Sequence, residues 1–137
     1  MHADLASHQE REALNMIAYC TIGTNDMDRS IEFYDAVFGA LGGQRELTTP
    51  AWTRYGRAGE RAKVCLATPF DRKYATSGNG SMLAFQAPDH AAVDAFHAAA
   101  LANGGRDEGV PGLREGTHYA AYARDPDGNK LCAFAPK

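Results

Sequence analysis

Three cysteines, Cys20, Cys65 and Cys132, and five histidines, His2, His8, His90, His97 and His118, are the thiol and imidazole groups of this 137-residue chain, its candidates for nucleophiles and for soft or borderline metal ligands. The cysteines stand far apart and form no Cys-x-x-Cys pair, so a disulfide framework is not expected, in keeping with a reducing cytoplasm. His2 and His8 fall in the N-terminal segment and His90 opens a helical stretch, positions where exposure is the rule. His97 shares a packing face with Tyr34, which predicts a buried structural role. Arg54, if it projects between Trp52 and a sheet, loses part of its hydration and needs an anion, either an internal carboxylate or a ligand. The glycine segments GNG and EGVPG match neither a phosphate-binding loop nor a dinucleotide turn and read as turns.

Composition narrows the partners. Hydrophobic residues make up 45% and charged residues 23% of the chain, with a formal charge of −3, which describes an ordinary folded domain and excludes disorder. No run of like charge builds a basic face, so nucleic acid and anionic membrane surfaces are not expected partners. No apolar run approaches the roughly 20 residues that cross a bilayer. The opening MHADLASHQEREALN carries charges throughout and lacks the apolar stretch of a secretory signal, which predicts a cytoplasmic protein with an N-terminal extension over residues 1–15.

The elements that must position the reactive groups occur twice. Ile17–Gly23 reads as a strand, Asn25-Asp26 as a cap, and Met27–Leu41 as a helix with Met27, Ile31, Tyr34, Phe38 and Leu41 on one face. Met82–Ala87 reads as a strand, Asp89 as a cap, and Ala91–Ala102 as a helix presenting Val93, Phe96, His97, Ala100 and Leu101. The copies pair Tyr19 with Met82, Asp26 with Asp89 and Phe38 with Leu101, a constant spacing of 63 (82 minus 19). Further on the spacing becomes 67 (119 minus 52), pairing Trp52 with Tyr119, Tyr55 with Tyr122 and Cys65 with Cys132. The extra residues fall in RDEGVPGLREGTH, read as a loop, and TPFDRKYATSGNGS joins the copies through turn chemistry. Each copy is strand, helix, then about three strands, over about 16–68 and 81–136, within one domain at 16–137.

The runs TNDMDRSIEFYDAVFGALGG, GNGSMLAFQAPDHAAVDAFHAAALANGG and RDPDGNKLCAF resemble the vicinal oxygen chelate superfamily, the glyoxalase/bleomycin resistance/dioxygenase proteins, over about Met16 to Ala135. The resemblance implies an α+β fold of paired βαβββ modules whose curved sheets enclose a cavity, usually in a homodimer.

Metal-dependent members of that superfamily take their ligands from the first and fourth strands of each module. The positions corresponding to them are Tyr19, Cys65, Met82 and Cys132, in place of His or Gln, Glu, His and Glu. A divalent ion that acts as a Lewis acid needs imidazole and carboxylate donors around an open coordination position. A thioether is a poor ligand, and a phenol near pKa 10 must first ionise. The expectation is therefore no catalytic metal and no cofactor. Strand alternation puts Tyr19 and Met82 opposite the helix-facing side chains, and by the resemblance Trp52, Arg54, Tyr119 and Phe134 join them around the cavity. The expected function is binding of a small aromatic or anionic molecule through Tyr19, Trp52, Arg54, Cys65, Met82, Tyr119, Cys132 and Phe134. The alternative is a lyase- or dioxygenase-type enzyme, with a soft ion such as Cu(I) or Zn(II) at the thiols or with acid–base chemistry through Tyr19 and His118 at the cavity rim.

Overall fold

The computed structural model describes residues 15–137, so all of the expected N-terminal extension except Asn15 lies outside the described residues. Two βαβββ units follow one another: β1 (Tyr19–Gly23), α1 (Met27–Ala40), β2 (Gly43–Thr49), β3 (Trp52–Arg57) and β4 (Lys63–Ala67), then β5 (Leu83–Gln86), α2 (His90–Ala102), β6 (Arg106–Arg114), β7 (His118–Arg124) and β8 (Lys130–Pro136). Each unit forms a four-stranded mixed sheet, in the orders β1-β4-β3-β2 and β5-β8-β7-β6. The β1–β4 and β5–β8 pairs are parallel and the others antiparallel.

Both helices start where their caps dictate. The Asp26 carboxylate accepts from Arg29 N at 3.1 Å and that of Asp89 from Ala92 N at 2.8 Å, satisfying donors the first turn leaves free. Past α2 the chain turns through Gly104 at φ +92°, and a Cβ on Gly105 would lie 2.6 Å from Arg124 O and 2.7 Å from Ala100 O and Phe33 Cε2. Only glycine fits that closely against both the helix end and the neighbouring unit.

The core lies between the helices and the sheets. Phe33, Tyr34, Val37, Phe38 and Leu41 of the first helical segment are buried, as are Val93, Phe96, His97 and Ala100 of α2. Helix α1 touches both its own sheet and α2, so its buried face is wider than a single stripe and takes in Ser30, Phe33 and Val37 as well. Leu101, expected on the packing face, is 45% exposed. His97 is buried as expected and its Nε2 lies 2.9 Å from Asp107 Oδ1.

A polar clasp joins the two units. The turn Asp125-Pro126-Asp127-Gly128-Asn129 of the second unit docks on the first. Tyr34 Oη donates to Asp125 Oδ2 at 2.5 Å. Asp127, whose side chain is 1% exposed, accepts from Thr24 Oγ1 (2.7 Å), Asn25 N (3.0 Å), Arg29 Nη2 (2.8 Å) and Ser30 Oγ (3.2 Å). Two further bonds cross the seam in matching places, Asn129 Nδ2 to Gly23 O and Arg57 Nη1 to Gln86 O.

Two sequence expectations are corrected. The stretch expected to be a loop, RDEGVPGLREGTH, is largely strand β6, an edge strand whose register against β7 shifts between Asp107 and Gly109 and again between Gly109 and Gly112. Those irregularities absorb the extra residues, and an edge tolerates Pro111. The second correction concerns β7. Arg54 faces Cys65 across β3–β4, whereas Tyr122 faces Cys132 across β7–β8. The two β3-type strands are thus one residue out of the spacing that aligns the β4-type strands, and a one-residue slip reverses every side chain.

Candidate functional site

Each sheet has a helix face and an open face. On the first sheet, alternation sends Ile22, Thr53, Tyr55 and Leu66 under the helices, where all four are buried, and leaves Tyr19, Thr21, Trp52, Arg54, Lys63 and Cys65 on the open face. Tyr19 and Trp52 meet edge to face with ring centroids 6.0 Å apart at 74°. Tyr19 remains 58% exposed, so the pair presents apolar ring surface outward. Beside it a cavity of about 680 Å³ is walled by Thr21, Gly23, Trp52 and Ala67 of the sheet and by Phe70, Arg72 and Tyr74 of the segment leaving β4. Arg72 holds a left-handed backbone at φ 63°, uncommon for a side chain of its size.

Arg54 has an internal partner. Its Nε donates to Glu46 Oε1 at 3.1 Å, and Lys63 Nζ donates to Glu46 Oε2 at 2.9 Å. The Lys63 hydrogen bond, with the charges of both cations, holds the Glu46 carboxyl below its usual range. Gly56 makes room for this, since a Cβ there would lie 2.6 Å from both Glu46 Oε2 and Lys63 Nζ. Cys65 sits opposite Arg54, 1% exposed, with its thiol pushed up by burial.

On the second sheet the open face carries His118, Ala120 and Tyr122 from β7 and Lys130, Cys132 and Phe134 from β8. His118 and Phe134 meet edge to face at 6.0 Å, and His118 Nδ1 lies 2.8 Å from Thr117 Oγ1. Burial raises the Cys132 thiol, opposed by its hydrogen bond with Tyr122 and by the charges of Arg114 and Lys130. Met82 precedes β5, 43% exposed, in a crevice shared with Thr21, Gly23 and Lys130.

Tyr119 is the misplaced residue. It points to the helix face, where its hydroxyl donates to Asp94 Oδ1 at 2.5 Å and its ring stacks on His90 at 4.1 Å. The slip in β7 puts Ala120 where Tyr119 was expected and Tyr122 in the place that matches Arg54. Tyr122, Arg114, Lys130 and the segment after β4 were not among the site residues expected from the sequence. Counting β7 back from Cys132 through the Asp125–Asn129 turn would have found Tyr122.

Tyr19, Trp52, Arg54 and Cys65 therefore share one open face, Cys132 and Phe134 share the other, and Met82 lies at the seam. Cys65 and Cys132 belong to different sheets with protonation favoured at both thiols, and among the described residues no three His, Cys, Asp or Glu side chains converge. Tyr19 and His118 also stand on different sheets. Among the described residues no helix is long and apolar enough to cross a membrane.

The family model described as Glyoxalase/Bleomycin resistance protein/Dioxygenase superfamily matches residues 16–133. A glyoxalase/bleomycin resistance protein from Albidiferax ferrireducens is 40% identical over 90% of this chain and 100% of its own, with a TM-score of 0.83. Lactoylglutathione lyase from Agrobacterium tumefaciens shares the fold at 23% identity, covering 89% of this chain and 94% of its own, TM-score 0.64. So does an antibiotic binding protein from a Streptomyces species, at 21% identity over 91% of this chain and 98% of its own, TM-score 0.65. No curated protein matches the chain.

Proposed function

Because this chain belongs to the glyoxalase/bleomycin resistance protein/dioxygenase superfamily, we propose that it uses that scaffold to hold a small aromatic molecule on the open face of its first sheet, without a catalytic metal. The observation that carries this reading is the Tyr19–Trp52 pair beside the cavity of about 680 Å³. Concave, mostly apolar sites with a few polar groups suit small ligands, and aromatic rings bind other rings by offset or edge contacts. Arg54 already donates to Glu46, which leaves the ring pair as the main contact for a ligand at this position. The Streptomyces structure, an antibiotic binding protein, is an instance of the fold used for holding.

Trp52 is the single tryptophan, so its emission reports on the site directly. Aromatic compounds that bind should change that emission and raise the melting temperature. Tyr19→Ala should weaken them roughly three- to tenfold, the usual worth of one aromatic contact. A broad aromatic panel that leaves both readouts unmoved, or a Tyr19→Ala protein that binds as wild type, would overturn the reading. Elemental analysis of the purified chain should find no stoichiometric zinc or copper; metal lost on Cys65→Ser/Cys132→Ser would establish a soft-ion centre instead. We further propose that the protein is a cytoplasmic homodimer. Light scattering after size exclusion should give twice the chain mass.

A further inference from the structure

We propose that the open face of the second sheet is an oxyanion subsite, in which Arg114 and Lys130 take the carboxylate or phosphate of a small molecule beside the Tyr122 ring. Arg54, Arg57, Lys63 and Arg124 are half-buried cations, each within 3.1 Å of a carboxylate, Arg54 and Lys63 sharing that of Glu46. Arg114 and Lys130 are half-buried as well, yet neither forms an ion pair among the described residues. Both lie against one ring, with Arg114 Cζ 5.5 Å and Lys130 Nζ 5.6 Å from the Tyr122 centroid. Arg114 Nη2 donates to Val110 O at 2.6 Å, which fixes one edge of the guanidinium and leaves its other donors for a ligand. Glu108 on β6 accepts from Arg124 at 2.8 Å, which chiefly holds its carboxyl below the usual range; the charge of Lys130 adds to that pull without an ion pair forming between them.

Both cations are partly desolvated beside the ring. The ring offsets some of that cost, and an anion would offset more. Small residues flank the ring, Ala84 opposite Cys132 and Ala120 opposite Phe134, while the guanidinium of Arg114 itself lies over Gly112, where a Cβ would stand 3.0 Å from Nη1. An Arg–Lys pair supplies a planar fork and a point charge, a donor set suited to oxyanions.

The inference rests on reading the open faces as ligand-facing, and a separate readout keeps the two tests apart. Benzoate and phenyl phosphate, with benzyl alcohol as the neutral control, would be titrated into the 15N-labelled full-length chain at low salt while amide shifts are followed. One or both anions should shift the amides of Arg114, Tyr122 and Lys130, and the tighter of them identifies the preferred oxyanion. Benzyl alcohol should leave those amides in place. Lys130→Gln should weaken the anion about tenfold or more, the scale of one charge-assisted hydrogen bond. Arg114→Gln should do the same, and Arg114→Lys should retain part of the binding, which separates lost charge from lost folding. Anions that fail to move these amides, or that bind Lys130→Gln as they bind wild type, would overturn the proposal. Shifts here with silent Trp52 emission would instead sink only the first-sheet reading.

Discussion

Glu46 governs the charge of the first open face, because it is the shared acceptor for Arg54 and Lys63. Its carboxyl titrates below the ordinary value of 4.5, chiefly through the Lys63 hydrogen bond. A depressed carboxylate contributes stability that is complete above its ordinary value and is lost as pH falls through the folded one. Melting temperature followed from pH 7 to pH 3 should therefore fall less steeply on the acid side for Glu46→Gln than for wild type. Superimposable acid limbs would show that the pairing adds nothing. At this scale the sequence was uneven. Alternation placed Tyr19 on the open face, because β1 and its parallel partner keep one register from Tyr19 to Gly23. It could not show that Arg54 is satisfied, since Glu46 reaches it from a neighbouring strand around an irregularity between Arg45 and Leu47. Tyr119 was put on the wrong face for the same reason: strand faces follow hairpin register, and repeat spacing alone does not fix that.

The helices were the most legible elements. Asp26 and Asp89 each precede an apolar helical pattern, and local capping chemistry alone starts α1 and α2 where they begin. Strand β6 was illegible because Gly109, Pro111 and Gly112 are poor strand formers, and pairing with β7 overrides their preference. The exit from α2 is the most sterically demanding junction. Gly105→Ala would drive a methyl group against two backbone carbonyls and the Phe33 ring, none of which can swing aside freely. Its expected cost is about 1–3 kcal/mol, typical of overpacking, measured as a lower urea midpoint at unchanged slope. An unaltered midpoint would mean that α2 can shift away from Arg124.

Both the clasp and the aromatic core join the two units. The repeat in the sequence revealed two units but not how they join, because the Asp125–Asn129 turn is absent from the first unit, which carries Ala58–Ala62 instead. Tyr34→Phe removes the hydroxyl that donates to Asp125, a carboxylate only 2% exposed. A charged acceptor losing a donor in the interior should cost about 1.5–3 kcal/mol, read by chemical denaturation. Asp127→Asn should go further and separate the units, so that Trp52 emission, which follows the first sheet alone, changes before the circular dichroism of the whole chain. Coincident transitions would mean that the packing of α1 on α2 suffices for cooperativity. The parallel strands carry a kinetic consequence. Tyr19 must find Lys63, and Leu83 must find Leu131, before either sheet can close. Long-range pairing of this kind slows refolding, since loop-closure entropy is lost before the contacts form. While the chain searches, its unpaired β edges stay available to other molecules, so recovery from denaturant should decline as protein concentration rises.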